Sequence, residues 1–181
     1  GGDMTWAEAL SSERESMQAL RDVAYCIDTA QMTAQSLRYF VQQWIDLGQA
    51  NLYVVFESFG FKHGLPTDVD FVFDVRSLPN PFYDPALRPY SGLDQPIQDF
   101  FARHEQVAAM LADIEQFLRK WLPAVEQENR SYVTIGIGCT GGQHRSVFMV
   151  EELAKRFAAY HTLVRHRQLA HIQVPTLPGC N

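Results

Sequence analysis

The sequence predicts an α/β fold: a mainly parallel sheet flanked by helices, with a phosphate-binding strand–loop–helix at Gly138–Ser146. Three observations lead there. Apolar, β-branched segments alternate with helix-patterned ones. The run Ser131-Tyr132-Val133-Thr134-Ile135-Gly136-Ile137-Gly138 passes through Cys139-Thr140-Gly141-Gly142-Gln143-His144 into a helix-like segment near Arg145-Ser146. Two other strand-like segments also end in polar, cation-bearing stretches, and parallel sheets bind ligands beyond the carboxyl ends of their strands.

Residues 6–22 read as a helix, with Leu10, Met17 and Leu20 set among Glu8, Glu13 and Glu15. Val23–Asp28 is a short apolar strand. Thr33 can cap a helix through Leu37, Phe40, Val41 and Trp44. Helix–strand–helix cannot close a sheet alone, so residues 1–47 are expected to be the tail of a preceding α/β domain. Gly48-Gln49-Ala50 is the expected linker, and residues 48–181 form the second unit.

That unit opens with Leu52–Phe56, a strand by composition, running into Glu57-Ser58-Phe59-Gly60-Phe61-Lys62-His63-Gly64. Phe71–Arg76 is a second strand. The Pro-rich stretch Leu78–Pro85, with Arg88-Pro89 and Gly92-Leu93-Asp94, excludes helix interior and central strand. It is either a functional loop or a clamp with buried aromatics. Val107, Met110-Leu111, Ile114, Phe117-Leu118, Trp121-Leu122 and Val125 make a strong amphipathic helix whose Trp and Phe face the core, and Pro123 bends or ends it. After the loop, Val147, Val150, Ala154 and Phe157 share an apolar face, with Glu151–Lys155 and Glu152–Arg156 as i,i+4 pairs. His161–Arg167 is the last strand, and a proline-containing tail from Gln173 frays.

The central loop has the chemistry of an anion site. Backbone N–H groups at a helix N-terminus favour negative charge, and Gly141 and Gly142 let the backbone approach closely. Arg145 supplies a bidentate fork; Thr140 and Ser146 supply hydroxyls. An ordinary strand-to-helix turn would use the same glycines. Because the other strand ends sit nearby, Lys62, His63, Arg76, Asn80, Arg88 and His144 are further phosphate-binding candidates.

The 181 residues are 46% hydrophobic and 20% charged, as a globular chain with a core requires. A net charge of −6 gives no global attraction to nucleic acid. No apolar run has the length of a membrane span. Three cysteines, Cys26, Cys139 and Cys180, are too few and scattered for a structural metal site or a disulfide framework, so no metal and a reducing cytoplasm are expected.

Phe56–Gly64, Phe73–Pro81 and Gly138–Ser146, with Arg88-Pro89, Gly92-Leu93-Asp94 and Arg165-His166-Arg167 in order between and after them, resemble the C-terminal domain of the RapZ family of bacterial RNase adapters and P-loop nucleotide-binding proteins. The resemblance runs from Leu52 to about Arg167, and residues before Gly48 resemble the end of that family's kinase-like N-terminal domain. It implies a sensor of a phosphorylated amino sugar, glucosamine-6-phosphate. It also implies a homo-oligomer that binds small regulatory RNA and presents it to an endoribonuclease. No Gly-x4-Gly-Lys-Ser/Thr occurs here, so ATP and GTP are expected only at the N-terminal domain, with no cofactor and no catalytic residue in this segment. The lysine-rich end of RNA-binding relatives is replaced by Gln168–Gln173. Candidate RNA contacts are Lys155, Arg156, Arg165, His166 and Arg167; the same residues could merely solvate a strand edge and a helix face.

Two other functions fit. Cys139-x5-Arg145-Ser146 matches the loop of cysteine phosphatases, in which Cys139 would attack phosphorus and Asp84 or Asp94 would protonate the leaving group. The usual preceding His is Gly138 here. Alternatively the unit is an interaction module with a vestigial pocket.

Overall fold

The computed structural model describes residues 5–21, 24, 27, 29, 32, 37, 40, 41, 52–128, 130 and 132–169. The strand expected at 23–28, the helix expected from Thr33, the linker at 48–50 and the tail from Gln173 lie outside the described residues, apart from those single positions.

Helix α1 (Trp6–Arg21) starts on a capping box. Thr5 Oγ1 accepts the Glu8 N–H at 3.3 Å while Glu8 Oε2 accepts the Thr5 N–H at 2.8 Å. Its large apolar residues Trp6, Leu10, Met17 and Leu20 are exposed.

Four strands form one parallel sheet: β1 (Tyr53–Gly60), β2 (Phe71–Asp74), β3 (Tyr132–Cys139) and β4 (His161–His166), in the order β2-β3-β1-β4. Helices α2 (Gln95–Ala102), α3 (Glu105–Gln127) and α4 (Arg145–Arg156) supply the connections and the cover. Val54 and Phe56 of β1 and Val133, Ile135 and Ile137 of β3 join Leu111, Leu118 and Leu122 of α3 and Met149, Val150 and Leu153 of α4 in the main core. The other face of the sheet is covered in part by residues before the expected linker. Phe40, 5% exposed, packs on Val55 and Leu163, with Ile27 and Met32 beside it.

Several expectations change in detail. β1 runs four residues past Phe56, and all eight of its residues are buried, including Glu57. Hydropathy misses this because the charge of Glu57 is met by arginines from the far end of the chain. α2 goes unrecognised among the prolines, yet Pro96 sits in its first turn, where a missing N–H costs nothing, and Ile97 and Phe101 are buried at i,i+4. α3 does not end at Pro123 but continues to Gln127. Its Phe117 and Trp121 are not core: they are 36% and 45% exposed, Phe117 meeting Phe71 and Phe73 of the edge strand edge-on and Trp121 lying against Phe117. The α4 pairs are Lys155 with Glu152 at 2.6 Å and Arg156 with Glu115 of α3 at 2.7 Å, because Glu151 turns to His166.

Candidate functional site

The strand register sets the site. Gly60 lies opposite Cys139, and Asp74 opposite Gly138, so β1, β2 and β3 release their following segments at one level. Those segments are hydrogen-bonded to one another. The Val75 N–H donates to the Gly138 carbonyl at 2.9 Å, the Lys62 N–H to that of Thr140 at 3.2 Å, and the Gly92 N–H to that of Gln143 at 2.9 Å.

The packing is close enough to require glycine. Gly142 has φ +73, and a Cβ there would lie 2.7 Å from the Gly60 nitrogen; a Cβ on Gly60 would lie 2.7 Å from the Gly141 carbonyl carbon. Gln168, just past β4, accepts the Gly60 N–H at 2.8 Å and packs on Gly142. A residue noticed in the sequence only as part of the stretch that replaces a lysine-rich end therefore fixes the loop. Cys139, 3% exposed, closes the strand end: its sulfur accepts the Gly142 N–H at 3.1 Å and lies 3.2 Å from Ser146 Oγ.

Arg145 is 5% exposed at the first position of α4. Its Nη1 donates to the carbonyls of Arg76 at 2.7 Å and Leu78 at 3.2 Å, and its Nη2 to Thr140 Oγ1 at 3.3 Å. The guanidinium braces the segment after β2 against the loop as well as bringing charge to it.

A cavity of about 160 Å³ opens here. Six of the residues singled out from the sequence line it: Lys62, Asn80, Thr140, Gly141, His144 and Arg145. Phe82, Cys139 and Gln143 complete the lining. Five others lie outside it. His63 is exposed beside Lys62. Arg76 is held by Asp74 at 2.7 Å, a hydrogen bond that lowers the Asp74 pKa and raises that of Arg76, and it stacks on Phe61. Arg88 stacks on Phe82. Gly142 packs behind the loop, and Ser146 is fully buried under Cys139. Phe82 was visible only as one aromatic in a proline-rich stretch, where packing and ligand contact look alike.

The cavity is cationic, with Lys62 and Arg145 and, among the described lining residues, no carboxylate. His144 is 6% exposed, and its Nε2 has no hydrogen-bond partner among the described residues. Burial holds its pKa below the ordinary histidine value; the backbone of Tyr90 opposes this and the charge of Arg145 adds to it. Two cations beside a helix N-terminus make this a site that favours an anion.

The basic end of β4 is placed inside the protein. Arg165 Nη1 lies 3.2 Å from Glu57 Oε2 and 3.3 Å from Asp68 Oδ2, and Arg167 Nη1 lies 3.0 Å from Glu57 Oε1 and 3.3 Å from Asp68 Oδ1. The two arginine side chains are 6% and 8% exposed. Burial raises the Glu57 pKa, Arg165 opposes it, and neighbouring Asp68 adds to the rise. His166 bridges Ser58 Oγ at 2.8 Å and Glu151 Oε1 at 2.9 Å. These three residues thus form a buried polar layer, neither a surface patch nor a solvated edge. Lys155 and Arg156 remain on α4, paired with Glu152 and Glu115.

The model of the RapZ C-terminal domain matches residues 52–170. The chain is 54% identical over 171 residues to a protein named nucleotide-binding protein from Neisseria meningitidis serogroup C, covering 94% of this chain and 60% of that protein. It is 50% identical over 169 residues to a nucleotide-binding protein of Chromobacterium violaceum, 93% of this chain and 60% of that one. It is 51% identical over 171 residues to a nucleotide-binding protein of Ralstonia nicotianae, 94% of this chain and 58% of that one. The chain therefore spans about 60% of the length of these relatives.

Proposed function

The chain belongs to the RapZ family, and we propose that the cavity at the carboxyl edge of its sheet is the sensor site for a phosphorylated amino sugar such as glucosamine-6-phosphate. One observation carries the reading. Lys62, Thr140, His144 and Arg145 line a single cavity at the N-terminus of α4, a 12-residue helix. Phosphate would lie over the 140–144 loop, where backbone N–H groups, the helix dipole and two cations all favour a dianion. Titration calorimetry with glucosamine-6-phosphate tests this. Lys62→Ala, which removes one charge-assisted partner at an exposed position, is expected to weaken binding about tenfold. No binding by the wild-type chain overturns the reading.

The site supports binding better than turnover. A phosphatase needs an acid at the leaving group. Asp84 Oδ1 accepts the Ala86 N–H at 2.9 Å, and Asp94 Oδ2 accepts the N–H and the hydroxyl of Ser91 at 2.6 and 2.9 Å. Both carboxylates are engaged in local turns, and neither lines the cavity.

For the family's adapter role, we assign ATP and GTP to the N-terminal part of the longer protein and weak RNA contact to the surface around Lys155 and Arg156. Arg119 adjoins them, its Nη2 donating to the Arg156 carbonyl at 3.1 Å. Three cations there face the carboxylates of Glu115 and Glu152, so an oligomer repeating the patch would be needed for useful affinity.

A further inference from the structure

We infer that Phe82 is the platform on which the body of the ligand lies, and that the site therefore selects a cyclic sugar phosphate over an open-chain one. This rests on the sugar-phosphate reading of the cavity. Size comes first. The cavity, about 160 Å³, has room for a phosphate group and part of the body it esterifies, and Phe82 is in its lining.

The rim is aromatic on the side of the Pro-rich segment. Phe82 lines the cavity and is 51% exposed. It is also held in place. The guanidinium of Arg88 sits 5.0 Å from its ring centroid, and Arg88 Nε donates to the Phe82 carbonyl at 2.7 Å. The turn beneath is closed by Asn80 Oδ1, which accepts the Phe82 N–H at 3.4 Å, and is anchored by buried Pro81. A half-exposed phenylalanine fixed on a proline-stiffened turn costs little entropy when a ligand covers it. It offers an apolar surface to the C–H face of a pyranose ring, whereas a flexible chain would leave part of that surface wet.

The experiment compares two monoesters with the same phosphate head, glucosamine-6-phosphate and glycerol 3-phosphate, by calorimetry on the intact chain. Phe82→Ala is expected to weaken the cyclic ligand about tenfold and the open-chain ligand less than twofold. Phe82→Tyr is expected to bind both as wild type does. Arg88→Ala, which frees the ring, is expected to shift the cyclic ligand alone, in the same direction as Phe82→Ala. Equal losses for the two ligands, or unchanged binding of glucosamine-6-phosphate by Phe82→Ala, overturn the platform while leaving the sensor reading intact. A wild-type chain that binds neither ligand overturns the sensor reading and the platform with it.

Discussion

Arg145 Nη1 donates to the carbonyl oxygen of Arg76 at 2.7 Å, across 69 residues of sequence. The side chain best suited to hold an anion at the head of α4 is therefore also the brace that holds the segment after β2. In the proposed site, stability and ligand affinity are coupled through one guanidinium.

Arg145→Ala should lower both. It leaves the Arg76 and Leu78 carbonyls without that donor, at a cost of about 1–3 kcal/mol for a buried group. For a chain of this size that is about 2–4 °C in Tm per kcal/mol. Glucosamine-6-phosphate affinity should fall at least tenfold. Arg145→Lys keeps the charge but not the planar fork, and should recover only part of each loss. Differential scanning calorimetry and ligand titration read the two effects separately. A variant that melts like the wild type would show that the brace contributes nothing.

His144 sets a pH dependence. Its pKa in the folded chain lies below that of the unfolded chain, because burial disfavours the imidazolium. Above about pH 6.5 both states are neutral and the fold keeps its full stability. As pH falls through that value, the unfolded state binds the proton first, and stability is lost until the lower folded value is passed. Glu57 has the opposite sign: its raised pKa gives a contribution that is complete below the ordinary carboxylate value and is lost as pH rises. His144→Gln should therefore flatten the decline of Tm between pH 7 and 5 in the ligand-free protein. An unchanged slope would show that His144 is not the group titrating.

The sheet and the loop were legible because their signals are local: β-branched runs, a glycine pair, a helix start. Six of eleven candidate ligand residues line the cavity, since strand ends in a parallel sheet converge by topology. What the sequence could not show is pairing at a distance. Arg165 and Arg167 alternate like a basic edge, and only the fold brings Glu57 and Asp68 to them. Phe82, Gln168 and the exposure of Trp121 were hidden for the same reason: a side chain's role there depends on which segment packs beside it.

Gly142→Ala tests how tightly the loop is seated. The positive φ of +73 costs a side-chain-bearing residue about 1–2 kcal/mol, and the new Cβ meets Gly60 N and the Gln168 carboxamide. Added to Gly142→Ala, Gln168→Ala should relieve the clash with the carboxamide but neither the 2.7 Å approach to the Gly60 nitrogen nor the backbone strain. Tm should fall in the single variant and recover partly in the double one. Full recovery would mean that neither the backbone conformation nor the approach to Gly60 is strained.

With p-nitrophenyl phosphate, the chain is expected to show no turnover above buffer, because the Cys139 sulfur is buried at the strand end, engaged by the Gly142 N–H and packed against Ser146. Release of p-nitrophenol by wild type that vanishes in Cys139→Ser would make this a phosphatase and displace the sensor reading.

RNA binding separates two groups of cations. Arg165→Ala or Arg167→Ala leaves a buried carboxylate short of a partner and should cost about 3–5 kcal/mol of stability. Any RNA binding lost in these variants should therefore follow the loss of folded protein, seen by circular dichroism at the same temperature. Lys155→Ala and Arg156→Ala sit on the surface of α4, where each ion pair is worth at most about 1 kcal/mol. They should leave Tm nearly unchanged and reduce the slope of log affinity against log salt by about 0.7–0.9 each, the counterions of one phosphate contact. With so few exposed cations and a net charge of −6, the wild-type slope should itself be shallow. Filter binding across a salt series, on folded variants only, distinguishes the cases. A steep slope that survives in the Lys155 and Arg156 variants but disappears in folded Arg167→Ala would place the RNA surface at the end of β4, against the buried pairing of its arginines.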